Sequence, residues 1–315
     1  MRQLLRSRIG RNLSTVYHRR IADWLKERMD SGEDGLTGRV ALHYLEAGEK
    51  SQAADVSFEA AMRAVEHAAN RQAAGWLESY LSAAPADEPT RRRVTAMREL
   101  GRLYSSSGRV EKAEELLTRA LEAAEPRQRP SVLAELAENL YKQSRYPEAL
   151  QCFAELLESE ADSALKVRAL MRRAFIETLE AAWQSAEDDL NRGLQLIEEM
   201  DTGPRRESML ALYNTRKGDL LSLIRTDMSA EEHYKRALKI YRDHGDRLGE
   251  ATVLNNMSEL YGRRGDYAGD IRLLQRVEEI NRRNDDALGL AIASYNLAEA
   301  YAVVGRHSLA REYYQ

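Results

Sequence analysis

The stretch Asn255 to Tyr267, NNMSELYGRRGDY, returns forty positions later as Tyr295 to His307, YNLAEAYAVVGRH. Asn256 aligns with Asn296, Tyr261 with Tyr301, and Gly265 with Gly305. A chain that repeats one pattern at a fixed interval does not wrap every copy around a single centre. Each copy must bury its apolar side against the next, so the feature points to a stacked array.

Earlier copies follow the same order: a small residue, a large one three further on, a turn, and a small residue about five beyond it. LGRLYSSSGRVEKAEELLTRAL supplies Gly101, Tyr104, Gly108, Ala113, Leu117 and Ala120. LAENLYKQSRYPEALQCFAELL supplies Ala137, Leu140, Ser144, Ala149, Phe153 and Leu156. RAFIETLEAAWQSAEDDLNRGL keeps Ala174, Ala186, Leu190 and Gly193 but lacks the tyrosine and the turn glycine. KGDLLSLIRTDMSAEEHYKRAL gives Gly218, Leu221, Ala230, Tyr234 and Ala237. The last two copies carry Ser258, Tyr261, Gly265, Asp270 and Leu274, then Ala298, Tyr301, Gly305, Ala310 and Tyr314. Equivalent positions are 36, 37, 44, 40 and 40 residues apart, the length of two helices and their turns.

The spacing has a mechanical reading. Small residues let two antiparallel helices approach, and a large side chain from the partner fills the gap. Gly108, Gly265 and Gly305 stand where the first helix must stop, because glycine enters the left-handed conformation without steric penalty. Pro85, Pro89, Pro126, Pro130 and Pro204 are expected between units, and Pro147 in the first turn of a helix. Asp270, where alanine is usual, is expected to loosen its helix contact.

The totals agree with an all-α chain and exclude several functions. Ala, Leu, Glu and Arg dominate, with only six prolines and three phenylalanines. Against 47 Lys+Arg stand 51 Asp+Glu, a net charge of −4 that does not call for nucleic acid or a membrane surface. No apolar run approaches the roughly 18 residues of a membrane span. The single cysteine, Cys152, excludes an internal disulfide and fits a reducing, cytoplasmic compartment. The start, MRQLLRSRIGRNLSTVYHRR, has no acidic residue before Asp23 and loosely mimics a transit peptide. An ordinary amphipathic helix running on through IADWLKERM is the preferred reading.

The ordered small, Tyr, Gly, Ala, aromatic and Ala positions resemble the tetratricopeptide repeat family over roughly residues 90–315. The resemblance implies an all-α, right-handed superhelical solenoid of antiparallel helix pairs, about six repeats with the last truncated. The closing copies, with HGDRLGEATVLNNMSELY and RNDDALGLAIASYNLAEAY, look like the forty-residue variant of signalling adaptors and bacterial regulators. Residues 1–89 form a separate segment with one degenerate helix pair, its second member running from Ser51 to Ala69. An additional helix is expected from Arg71 to Ala83. YHRRIADWLK and HYLEAGEKSQAA there look like the junction after the ATPase domain of signal-transduction ATPases with numerous domains. That likeness implies the sensor or scaffold portion of a larger regulator. LAREYYQ ends inside a second helix, so either more protein follows or a partner covers Tyr313 and Tyr314.

The family resemblance also implies a groove lined by the first helix of each unit. Carried over position by position, it shows Arg98 and Arg102, then Glu135, Glu138 and Tyr141, then Arg168, Arg172 and Phe175. Thr215, Arg216 and Asp219 follow, and then Asn255, Asn256, Glu259, Arg263, Tyr295, Asn296 and Glu299. An asparagine amide both donates and accepts, so a row of them can hold a peptide by its main chain. Arginines on the same face would select carboxylates or phosphate. The expected guest is a peptide or protein segment with acidic character. In the competing reading, Asn256 and Asn296 satisfy neighbouring helix ends and the arginines pair with Glu135, Glu138, Glu259 and Glu299.

Catalysis finds no support. There is no G-x-x-x-x-G-K-[ST] loop, no H-E-x-x-H, and no base beside Cys152. YRDHGD lacks the rest of a kinase signature. Trp24, Trp76 and Trp183 read as packing residues. No cofactor or metal is called for. The expected function is a non-catalytic interaction scaffold. The alternative is a small-molecule-sensing domain, as in maltose-regulator-like arrays, controlling an attached ATPase or transcription-regulator domain.

Overall fold

The computed structural model describes residues 11–33, 35–84, 90–224, 228–284 and 286–315, among which there are 16 α-helices and no strand. Contacts gather the chain into two compact units, Met1–Glu160 and Ala161–Gln315. The first unit holds α1 (Arg11–Asp30), α2 (Thr37–Glu46), α3 (Lys50–Glu66), α4 (Asn70–Ala83), α5 (Thr90–Ser106), α6 (Val110–Ala123), α7 (Arg129–Lys142) and α8 (Tyr146–Glu158). The second holds α9 (Ser163–Leu179), α10 (Trp183–Glu198), α11 (Pro204–Ile224), α12 (Met228–Asp243), α13 (Arg247–Arg263), α14 (Tyr267–Arg283), α15 (Ala287–Val303) and α16 (His307–Tyr314). Within each unit, consecutive helices pack as pairs stacked on the next pair, the α-solenoid arrangement.

The pairing follows from the small-and-large rule. A Cβ added at Gly101 would sit 2.7 Å from Leu117 Cγ, so only glycine admits the leucine of the second helix. Gly218 does the same for Tyr234, whose ring would meet a new Cβ at 2.6 Å. Leu117 and Tyr234 are fully or almost fully buried, each worth roughly 1.5–3 kcal/mol in transferred apolar surface. In the second unit the core runs unbroken across helices: Tyr234 and Leu238 of α12, Val253, Leu254 and Leu260 of α13, Val277 and Ile280 of α14 and Ala293 of α15 form one cluster.

Every described turn between paired helices has one shape, whichever residue occupies it. Gly108, Gly265 and Gly305 have φ of 78°, 81° and 78°, and Ser144 and Ala181 adopt 58° at the equivalent place. The following amide closes the same bond to the carbonyl four residues before the turn: Arg109 to Tyr104 at 2.9 Å, Arg145 to Leu140 at 3.0 Å, Ala182 to Glu177 at 2.8 Å. The missing glycine of the Ala181 copy therefore does not change its turn.

Residues 37–83 contain the same device twice. Gly48 (φ 78°) joins α2 to α3, and Ala68 (φ 53°) joins α3 to α4. The helix expected as an addition thus packs on α3 through a full repeat turn, with Ala73, Leu77 and Tyr80 buried at the offsets of Ala113, Leu117 and Ala120. Pro130 and Pro204, expected between units, instead stand in the first turns of α7 and α11, where the missing N–H is not needed. Pro85 and Pro89 lie outside the described residues.

Asp270 does not act by loosening its contact. Its carboxylate is accommodated by Gly262 on the facing helix, where an added Cβ would lie 3.1 Å from Asp270 Oδ2. Burial pushes this carboxyl up to about 6, with Ser258 beside it pulling the other way.

Candidate functional site

The first helices of the second unit's repeats, α9, α11, α13 and α15, place their polar residues side by side. Asp219 of α11 is the centre. Its Oδ1 accepts from Tyr234 Oη of α12 at 2.9 Å and from Asn256 Nδ2 of α13 at 2.7 Å. Its Oδ2 accepts from Arg216 Nη1 at 2.8 Å. Asp219 is buried, so three donors hold a carboxylate that would otherwise be costly to remove from water.

From this centre the row runs both ways. The Arg216 guanidinium lies 4.4 Å from the Phe175 ring centroid on α9, a cation–π contact. On α13 the neighbouring Asn255 turns to the other side, and its Oδ1 accepts from Asn296 Nδ2 of α15 at 2.9 Å. Adjacent asparagines thus tie α13 to α11 on one side and to α15 on the other.

These bonds use half of each amide. No hydrogen bond among the described residues involves the Asn255 amide N–H or the Asn256 and Asn296 carbonyls, and all three residues are partly exposed. One group of each amide bonds a side chain of another first helix, and none of the three serves a helix end.

The remaining candidates fall out differently. Arg168 and Arg263 are exposed, Arg263 with only a long 3.9 Å approach to Glu259. Tyr295 is 57% exposed and meets Tyr314 edge-on at 5.9 Å, while Tyr314 Oη donates to Glu299. Arg172 is half-buried, three residues before Phe175 on α9. Thr215 is turned inward, 1% exposed and bonded to the Ala211 carbonyl, so it cannot line a groove. In the first unit, Arg98 and Arg102 of α5 share one carboxylate of their own helix, Glu99, at 2.5 and 2.9 Å. Tyr141 stacks on Tyr146 at 5.8 Å.

The sequence reading missed an apolar stripe on α15. Leu288, Ile292, Tyr295 and Val303 are exposed, and the first three recur at helical spacing on the face that carries Asn296. The signal was present: α15 is apolar nearly all round, which a helix with one free side does not require. Among the described residues no group of three or more His, Cys, Asp or Glu could hold a metal ion. No described helix is long and apolar enough to cross a membrane. Burial pushes the Cys152 thiol up, which works against nucleophilic chemistry.

Residues 93–125, within α5, α6 and the following turn, match the model of the tetratricopeptide repeat family. No curated protein matches the sequence. Among solved structures, the apo form of the quorum sensor NprR from B. thuringiensis is 12% identical, with a TM-score of 0.65 over 99% of this chain and 89% of that one. A Rap protein complexed with competence and sporulation factor is also 12% identical, with a TM-score of 0.63 over 96% of this chain and 92% of its own. A signal-transduction ATPase with numerous domains, carrying a tetratricopeptide repeat sensor and coming from Pyrococcus horikoshii, is 16% identical with a TM-score of 0.56. That match covers 76% of this chain, which spans 38% of the ATPase's length. At such identities the likeness is one of fold, and the fold is that of tetratricopeptide arrays.

Proposed function

We propose that this chain, built as a tetratricopeptide-repeat array, is a non-catalytic protein-interaction module that holds a peptide segment of a partner along the first-helix face of α11, α13 and α15. The observation that carries the reading is the asparagine row. Asn255, Asn256 and Asn296 are partly exposed, are fixed in place by one bond each and keep a donor group and two acceptors that no described residue bonds, which suits an extended main chain. Tyr295, Ile292 and Leu288 next to them offer an apolar anchor. Arg168 and Arg263 favour carboxylates in the bound segment. A few charge-assisted bonds and one aromatic anchor reach about −8 kcal/mol, or micromolar affinity. The Rap protein solved with competence and sporulation factor is a precedent for a partner on this fold.

The test is selection of peptides from a random display library on the 315-residue chain, followed by titration of the enriched sequences. Binding should fall at least about tenfold in Asn255→Ala and in Tyr295→Ala, with helicity unchanged. Undiminished binding in both variants rejects the face.

A second reading, small-molecule sensing, is favoured by one feature of the first unit. A cavity of about 580 Å³ lies among α2, α3 and α4, walled by Trp76, Gly38, Ala60 and Ala64 and rimmed by Arg63 and Arg71. Its size is that of ordinary ligand sites, which run to roughly 300–1,000 Å³. Quenching of Trp76 fluorescence by a metabolite library, absent in Trp76→Phe, would support it.

A further inference from the structure

One position recurs at the turns of the array, and one copy leaves it nearly empty. The carbonyl that closes the turn ahead of α3, α6, α8, α14 and α16 belongs to a large residue: Tyr44, Tyr104, Leu140, Tyr261 and Tyr301 in that order. Ahead of α4 the same bond, 2.8 Å long, goes to Ala64, a methyl group where the other copies carry a ring or an isobutyl.

The missing ring has a defined place. Tyr104 Oη donates to Glu78 Oε1 at 2.7 Å, and Tyr301 Oη accepts from Gln275 Nε2 at 3.1 Å. Each partner stands 26 residues earlier, on the helix just before the tyrosine's own. Twenty-six residues before Ala64 stands Gly38, on α2. Both ends of the contact are therefore truncated in this copy, the ring and the side chain that would meet its hydroxyl.

What opens there is the cavity of about 580 Å³ among α2, α3 and α4, lined by Gly38 and Ala64. Trp76 of α4 leans over Gly38, where an added Cβ would lie 3.0 Å from its Cη2. An added Cβ at the adjacent Gly75 meets nothing within 4 Å, so the wall beside the indole stays open. Interiors pack with few voids, and two truncations in register set this space apart from an ordinary packing defect.

The charges at the cavity are one-sided. Arg63, His67 and Arg71 line it, with Glu59 the one carboxylate among the described lining residues. Glu59 approaches Arg63 only to 3.8 Å, both side chains being more than half exposed.

We propose, resting on the small-molecule reading of this cavity, that it takes a small aromatic carboxylic acid. Its ring lies where the repeat's tyrosine would stand, and its carboxylate pairs with Arg63 and Arg71. The vacated tyrosine place and the Trp76 face select the ring. Gly38 offers no side chain to a polar group at the inner end, so the acid turns outward to the guanidinium forks, which match a carboxylate.

Isothermal titration calorimetry of the full chain tests this with naphthalene-2-carboxylate and phenylacetate, against their neutral amides and hexanoate. The aromatic acids should bind at least about tenfold tighter than the amides and than hexanoate. Arg63→Gln with Arg71→Gln should erase the preference for acid over amide. Ala64→Tyr returns the ring to its place and should abolish binding of acid and amide alike. Circular dichroism checks folding, and Ala64→Leu, which copies Leu140, replaces the tyrosine variant if that one unfolds. Amides or hexanoate that bind as well as the aromatic acids overturn the ligand class while leaving the small-molecule reading in place. No binding by either acid up to about 5 mM overturns it as well, and only failure of the wider metabolite library removes the reading itself. Acid binding undiminished in a folded Ala64 variant places the ligand elsewhere and also overturns the proposal.

Discussion

The first helices of the two units carry polar residues at matching positions and connect them in different ways. In the first unit Arg98 and Arg102 both close on Glu99, one turn or less away on the same helix, so α5 satisfies itself. In the second, Arg216, Asp219, Asn255, Asn256 and Asn296 reach from α11 to α13 and from α13 to α15. Side-chain caps occur only in the second unit among the described helix starts, although α10 and α16 there have none. Asp162, Asp246, Asp266 and Asp286 each accept an amide bond at the start of α9, α13, α14 and α15, whereas α2, α3, α4, α6, α7 and α8 have no side-chain cap bond. The difference teaches that a shared repeat pattern fixes how helices pair, while side chains outside the pattern decide how neighbouring repeats are joined: in the first unit by separate bonds such as Lys142 to Ser105 and Arg145 to Glu114, in the second by a row that shares Asp219 as its hub.

Removing the hub should break the contrast most sharply. Asp219→Ala leaves Tyr234, Asn256 and Arg216 without their acceptor in a buried setting. A loss of about 3–5 kcal/mol is expected, read as the fall in ΔG of urea unfolding. Glu99→Ala should cost about 1 kcal/mol or less, because its arginines are a third exposed and hydrate readily. Equal losses would show that the cross-helix row is no more structural than the local one.

The second difference is titratable. Burial pushes Asp270 up to about 6, and burial together with the nearby Asp189 pushes Glu177 up to about 7. Both groups prefer the proton when folded, while the unfolded chain binds it only near 3.8 and 4.5. The second unit therefore gains stability as pH falls from 7 toward 5, by about 1–2 kcal/mol, and loses it again as pH rises through 6 to 7. Glu231 works in the opposite sense. Bonds from Lys235, Arg264 and Tyr261 hold it down to about 2, so its contribution is present above 4.5 and fades as pH falls toward 2. Thermal unfolding across pH should show a maximum near pH 5, and Asp270→Asn with Glu177→Gln should flatten its neutral side. A curve unchanged by those substitutions would refute the assignment.

Much of this was legible in the sequence, and the gaps have physical causes. Gly101, Gly218, Tyr104 and Leu117 announce the fold because close packing admits few residues at each place. The candidate row was legible as a list but not as a network. Which amide of Asn255 and Asn256 faces which neighbour depends on the stacking of whole repeats, and spacing within one repeat cannot report that. Asp219 looked like a groove residue because its position faces inward in the repeat. Its role came from Tyr234 and Asn256, which are 15 and 37 residues away. The caps do carry a local signal: Asp246, Asp266 and Asp286 each stand three before a glycine whose N–H they accept. Asp246→Ala should cost about 1 kcal/mol by the same urea measurement.

The smallest expected effect concerns the turns, which the two units share. Ser144 in the first and Ala181 in the second hold φ of 58° with a side chain attached, and Ala68 holds 53°. Left-handed backbone costs a non-glycine residue about 1 kcal/mol, and glycine avoids it at some expense in unfolded-state entropy. Ser144→Gly and Ala181→Gly should each therefore stabilise the chain by ~0.5 kcal/mol, a shift of a degree or two in Tm. Gly265→Ala, which puts a side chain where φ is 81°, should destabilise by about 1 kcal/mol. Space does not complicate the comparison at Gly265, since an added Cβ there meets nothing within 4 Å, so the sign reports backbone preference alone. If Ser144→Gly and Ala181→Gly both destabilise, those turns are held by the side chains of Ser144 and Ala181 and not merely tolerated by them.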